Sequence, residues 1–190
     1  MSRLLKWLGV LRAALLLAII VLLVGGRFSD GPLGPIAGGA FSSGERFAGS
    51  EPDWGFVRDL QTVELQLIDP PRSRTTWILE HEGRIYIPSG YMNSTLGRWW
   101  KQWPHEADRD GRALLRVDSV LYERELIRLA PDADVLPALG AELQRKYPRG
   151  LEETSEAAAT PASVSMKDRV ADGSLWIFEL APPRLRPPAS

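Results

Sequence analysis

The chain contains no cysteine and only two histidines, His81 and His105, in 190 residues. Without thiols it can have no disulfide framework, no thiolate zinc or iron–sulfur site and no cysteine nucleophile. Two histidines rule out a multi-histidine metal centre within one chain. An excess of either charge is missing too: 23 basic and 24 acidic residues leave a formal net charge of -1. That balance argues against a nucleic-acid binder that works by broad phosphate neutralisation. Motifs with a built-in mechanism are also lacking, with no phosphate loop, no G-x-G-x-x-G, no H-E-x-x-H and no G-x-S-x-G. The strings GPLGP and IAGGA contain glycine but lack the strand-to-helix setting those motifs require.

What is present begins with a long apolar run. Ala13 to Val24 is unbroken, and from Trp7 only Arg12 interrupts it, so the stretch approaches the ~20 residues of a membrane span. Arg3, Lys6 and Arg12 precede the apolar core and only Arg27 follows closely, which puts the N-terminus in the cytoplasm and the domain beyond the membrane. A secretory signal peptide cut after Gly25 or Gly26 is the rival reading. Leu23 and Val24 stand where cleavage sites prefer small residues, so a retained anchor is favoured. Either way the domain is exported, an address that a cysteine-free chain tolerates. A buried soluble helix is disfavoured, because the run leaves no polar face.

Composition divides the chain into an anchor or uncleaved signal (1–26), a Gly/Pro-rich arm (27–53), a single domain (54–181) and a disordered proline-rich tail (182–190). The arm reads either as an irregular tether or as a segment packed on the domain through Leu33, Ile36, Phe41 and Phe47. Within the domain, Thr62–Ile68 alternates as a half-buried strand should, and a turn over DPPRSR follows. Thr75–Leu79 and Arg84–Pro88 read as a hairpin through His81-Glu82-Gly83. Asn93 or Ser94 then caps a short helix carrying Leu96, Trp99, Trp100 and Trp103, and Pro104 can open a further turn. Ala113–Val117 and Val120–Leu129 flank a tight turn at Asp118-Ser119. Asp132–Tyr147 reads as a helix, 151–173 as a solvated polar excursion and Ser174–Leu180 as a last strand. The expected fold class is α+β, mainly β: a small antiparallel β-barrel or strongly curled sheet with flanking helices after one transmembrane helix.

Few side chains point to chemistry. His81 reads as a turn histidine, its His-x-Glu pairing being short of the three ligands a metal wants. His105 is a capping or surface histidine before it is an acid–base group. The tryptophans Trp99, Trp100 and Trp103, with Trp77 and Tyr91, either wall a small planar ligand, served by Arg98 and Lys101, or fill the barrel end or a lipid interface. Ser73, Arg74, Thr75 and Thr76 can bind an anion or simply open a strand. Arg116, Arg124 and Arg128 alternate with Glu123 and Glu125, which reads as one charge-balanced face.

The stretches RTTWILEHEGRIYIPSG, GRWWKQWPHEADRDG and RALLRVDSVLYERELIRL resemble the split barrel of the pyridoxamine-phosphate-oxidase-like superfamily. Within it, the chain is most similar to the deazaflavin-dependent nitroreductase branch and related membrane-anchored domains. Carried over residue by residue, the resemblance puts Arg74, Thr75 and Thr76 near a cofactor phosphate. It puts Ser89 and Gly90 along a ribityl chain, Lys101 and Trp103 at the phosphate or ring edge, and Trp77 on a pocket wall. It implies FMN or deazaflavin as cofactor and a homodimer with the site at the subunit interface. The chain departs from the pattern where Asp110-Gly111 replaces an Asp-Pro turn. Two functions follow: an envelope-associated binding module, or a flavin- or deazaflavin-dependent oxidoreductase passing hydride to a small acceptor. The oxidoreductase requires Arg74, Lys101 and the hydroxyls to converge on one pocket. The binding module expects the tryptophans to be packed, and a carrier of apolar ligands would need an open cavity in the barrel mouth.

Overall fold

A computed structural model describes residues 2–90, 92–93, 102–148 and 165–184. The apolar run forms helix α1, Ser2–Gly25, which ends in a tight turn at Gly26–Phe28. From Lys6 onward its side chains are exposed, and the 23 residues Lys6–Phe28 are long and apolar enough to cross a bilayer. Length and apolarity of this kind are shared by signal sequences.

Eight strands follow: β1 (Glu45–Arg46), β2 (Thr62–Leu67), β3 (Arg72–Trp77), β4 (Leu79–His81), β5 (Arg84–Ser89), β6 (Arg112–Val117), β7 (Val120–Arg128) and β8 (Trp176–Ala181). They make one sheet in the order β3-β2-β6-β7-β8-β5-β4, antiparallel throughout, with β1 added parallel to β7. The sheet curls until β3 comes back against β5, so its two edge strands, which are consecutive in the chain, meet at Ile78. The result is an α+β fold built on a half-barrel, the split-barrel architecture that the sequence pattern leads one to expect.

Two faces of this sheet are buried, and side-chain alternation assigns each residue to one of them. The inner face carries Val63, Leu65 and Leu67, Ile85 and Ile87, Leu115, Leu126 and Phe178, closed at one end by Trp103 and Ala107 of α2 (Trp103–Arg109). The outer face of β4, β5 and β8 presents Leu79, Tyr86 and Ile177 to α3 (Leu136–Lys146) and α4 (Met166–Ala171). Both two-residue turns need left-handed backbone, with φ of 50° and 74° at Glu82-Gly83 and 47° and 67° at Asp118-Ser119. Those are the angles of a hairpin turn whose twist matches the strands.

Several expectations change. The third strand starts earlier, at Arg72, and stops at Trp77, because the chain turns at Ile78 into β4. Helix α3 begins at Leu136 rather than Asp132, with Pro137 in its first turn, where a missing N–H costs nothing. Residues 165–171 of the polar excursion are packed: Ser165 caps α4 by accepting from the Asp168 amide, and Met166 and Val170 are buried. The helix expected around Trp99 and Trp100 lies outside the described residues except for its last member, Trp103. At the tail, Arg184 bonds the Glu125 carboxylate at 3.4 Å.

The Gly/Pro arm is packed, not a free tether. Gly38 and Ser73 exchange backbone hydrogen bonds of 2.9 and 3.3 Å, and the Ser73 hydroxyl donates to the Gly39 carbonyl at 2.6 Å. The Phe41 amide donates to the Gln66 side chain at 2.5 Å. Arg116 bonds Asp30 at 3.0 Å and Glu64 at 2.5 Å, with its guanidinium 4.1 Å from the Phe41 ring centroid. Glu45 and Phe47 then run beside β7.

Candidate functional site

The β3 register decides which of the expected site residues can meet. Arg74 lies opposite Leu65 and Thr76 opposite Val63, so both stand on the inner face. Thr75, between them, faces outward and donates to the Gly34 carbonyl of the arm at 3.1 Å. Trp77 also leaves the inner face, stacking on Tyr147 with centroids 4.3 Å apart and planes 9° from parallel. Ser89 is buried opposite Trp176 and donates to the Met92 sulfur at 3.5 Å. Gly90 follows directly, where an added Cβ would lie 3.9 Å from the Arg169 guanidinium. Lys101, Arg98, Tyr91, Trp99 and Trp100 lie outside the described residues.

What the fold does bring together is Arg74 and Trp103, with the guanidinium carbon 5.2 Å from the indole centroid. Trp103 itself is buried and packs on Phe178 at 5.7 Å. The Arg74 Nε is buried and has no hydrogen-bond partner, and among the described residues no carboxylate lies within ion-pair distance of it. Burial pushes the Arg74 pKa down to about 10, with Glu106 pulling it up and Arg72 pushing it further down. The group is therefore cationic at neutral pH and poorly solvated, a state that an anion would relieve.

Three of the arginines that alternation places on the inner face are each set against a tryptophan, and Arg74 is one of them. Arg124 lies 4.6 Å over Trp54 and bonds Glu51 at 2.7 Å. Arg128 lies 3.5 Å over Trp176, with Asp108 at 3.5 Å. The single charge-balanced face expected from the sequence is thus divided. Arg116, Glu123 and Glu125 face outward, while Arg124 and Arg128 face inward, because strand alternation separates even from odd positions along β7. The inward set was readable only with the register known. Arg124 and Arg128 have carboxylate partners, and among the described residues Arg74 does not.

The histidines take minor places. His81 lies 3.9 Å from Glu82 in its hairpin, and His105 packs edge-on against Trp176 at 4.8 Å. Among the described residues no three His, Asp or Glu side chains gather as metal ligands. Two open depressions flank the sheet. One of about 610 Å³ runs between arm and sheet beside Asp30, Glu64 and Arg116, and one of about 490 Å³ lies beside Asp108, Glu125 and Arg128. In both, the named carboxylates already face arginines. Among the described residues the half-barrel interior is packed with apolar side chains.

Of the described residues assigned to the cofactor, Arg74, Thr76, Ser89 and Trp103 share the inner face, with Ser89 bonded to Met92, while Thr75 and Trp77 face away. Among the described residues the inner face thus offers an anion one cation, Arg74, and two hydroxyls, Thr76 and Ser89, beside the packed indole of Trp103.

No family model matches the chain, and no curated protein matches it significantly. Among solved structures it is similar to a pyridoxamine 5'-phosphate oxidase-like protein from Listeria innocua, at 15% identity and a TM-score of 0.35, over 65% of this chain and 85% of that one. It is also similar to a conserved hypothetical protein from Mycobacterium tuberculosis, at 11% identity and a TM-score of 0.44, over 76% and 86% of the two chains. At these scores the architecture rests on the sheet order and curl, and activity rests on the site alone.

Proposed function

We propose that the chain is a membrane-anchored binding module of the cell envelope: α1 spans the bilayer, and a split barrel is held beyond it. The observation that carries this reading is the coupling between helix and sheet, which leaves no free linker. Gly26 lies against Ala37 and Ile36, and Gly39 lies against the carbonyls of Arg27 and Ser29. One residue earlier, Gly38 is hydrogen-bonded to β3. With the span retained, this packing joins α1 stiffly to the barrel, as an anchor that must hold a domain at the membrane requires. The basic bias at Arg3, Lys6 and Arg12 supports a cytoplasmic N-terminus and an extracytoplasmic barrel.

The ligand of this module, in the same reading, is a small anion bound at Arg74 on the inner face. The unpartnered Nε of this half-buried guanidinium supports it, since an anion set against it would offset its desolvation. The oxidoreductase alternative, with its homodimer, asks a second copy or the segment around Lys101 to complete the cofactor site.

One preparation tests both parts. The full chain should stay in the membrane pellet after alkaline washing, and its barrel should be cut by protease added to the extracytoplasmic side. Release of a shortened chain into the soluble fraction would refute the anchor. The detergent-purified protein should be colourless and bind neither flavin mononucleotide nor reduced deazaflavin. A stoichiometric chromophore lost in Arg74→Ala would overturn the binding module in favour of the oxidoreductase.

A further inference from the structure

The turn that leaves α1 carries an apolar surface that the packed arm cannot hide. Phe28, three residues past the helix end, is 85% exposed, and Leu33 is 48% exposed. Leu33 and Ile36 exchange backbone hydrogen bonds of 3.0 and 3.1 Å across Gly34-Pro35, so Leu33 rides on the tip of a tight loop. That loop stands beside the helix exit, because a Cβ on Gly26 would lie 3.3 Å from the Ile36 side chain. Arg27, also exposed, adds a cation at the same level. The nearby carboxylate, Asp30, is held by Arg116 and by the amides of Ser42 and Ser43.

We propose that this face is a second membrane contact: Phe28 and Leu33 sit in the interfacial layer of the bilayer where α1 emerges, with Arg27 at the lipid phosphates. The proposal rests on the membrane-anchored reading and goes beyond it by fixing which side of the barrel meets lipid. Continuity with the spanning helix names the occupant. Residues three and eight positions beyond Gly25 cannot move far from the bilayer surface, and the arm is tied to β3, so the loop cannot turn away. An apolar ring and an apolar branched side chain at that depth gain by leaving water, while an arginine keeps its charge among headgroups. The barrel would then lie on the membrane, its orientation set by three contacts in place of a single tether.

The absence of cysteine makes the test clean, since each introduced thiol is the only one in the chain. Nitroxide labels are placed at Phe28→Cys, Leu33→Cys, Leu17→Cys within α1 and Gln144→Cys at an exposed position of α3, each in the full chain reconstituted into phosphatidylcholine–phosphatidylglycerol vesicles. Relaxation by oxygen, which concentrates in lipid, is compared with relaxation by a water-soluble nickel chelate. The expected oxygen-to-nickel ratio at positions 28 and 33 is several-fold above that at 144, and approaches that at 17. Ratios at 28 and 33 equal to that at 144, with 17 in lipid, overturn the interfacial contact and leave the anchor standing. An aqueous label at 17 overturns the anchor and the contact together.

Discussion

Replacing Gly38 by alanine should unfasten the arm while leaving the barrel folded. A Cβ at this position would lie 1.8 Å from the Gly31 carbonyl oxygen and 2.3 Å from its carbon, both backbone atoms that no rotamer change can move. The clash must open the contact between the two stretches of the arm, and with it the backbone pair to Ser73 and the Ser73 hydroxyl bond to Gly39. Three hydrogen bonds at about 1 kcal/mol each set the loss near 3 kcal/mol, roughly a hundredfold rise in arm opening. Ser73, Gln66 and Leu114, all buried where the arm covers them, would become wet. Hydrogen exchange of the full chain in detergent reads this directly. The amides of Gly38, Phe41 and Ser73 should exchange about a hundred times faster, because they report local opening of one cooperative unit. Amides of the β6–β7 hairpin should keep their rates. Unchanged exchange at position 73 would refute the claim that the arm is fastened here, and with it the stiff joint between helix and barrel.

The corner where the sheet edges meet gives a second expectation. The Tyr147 hydroxyl accepts from the Ile78 amide at 3.2 Å and bonds the carbonyls of Gln61 and Ile78, while Lys146 Nζ donates to Val57 and Ile78. Tyr147→Phe keeps the stack on Trp77 but strands these buried groups, so denaturant unfolding should show a loss of about 1–3 kcal/mol. An unchanged midpoint would mean that Ile78 is not held from α3. Acid should release the arm. The Ser43 hydroxyl, the Ser42 amide and Arg116 hold the Asp30 carboxyl well below its ordinary value of 3.8. A depressed folded value means that this contribution is intact above pH 3.8 and is lost as the pH falls further. Pepsin should therefore cut the arm faster as the pH is lowered in that range, and Asp30→Asn should flatten the dependence. Equal steepness in the variant would assign the effect to another group.

Local pattern determined much of this protein. The apolar length of α1, the strand alternation of β2, β6 and β7, and the turn at Asp118-Ser119 are short-range features, dictated by periodicity and by the few residues that accept left-handed backbone. So was a small barrel or curled sheet as the class, because successive hairpins leave few ways to bury one face, and the split form came with the family resemblance. The polar excursion carries a capping signature too: Ser165 and Asp168 bond each other at 2.7 Å, and Met166 and Val170 are spaced for one helical face.

The site was legible only as composition. Arg74, Thr75 and Thr76 are adjacent in the chain, and a strand sends neighbours to opposite faces, so the hydroxyl of Thr75 went to the arm and the guanidinium of Arg74 to Trp103. Register is a long-range property. Pairing Leu65 with Arg74 and Leu115 with Tyr122 settled which arginines point inward, and no local window contains that information. The fate of the arm was decided the same way. Its glycines permitted both a loose tether and a close backbone approach, and only the presence of β3 and Arg116 at the right distance turned permission into contact.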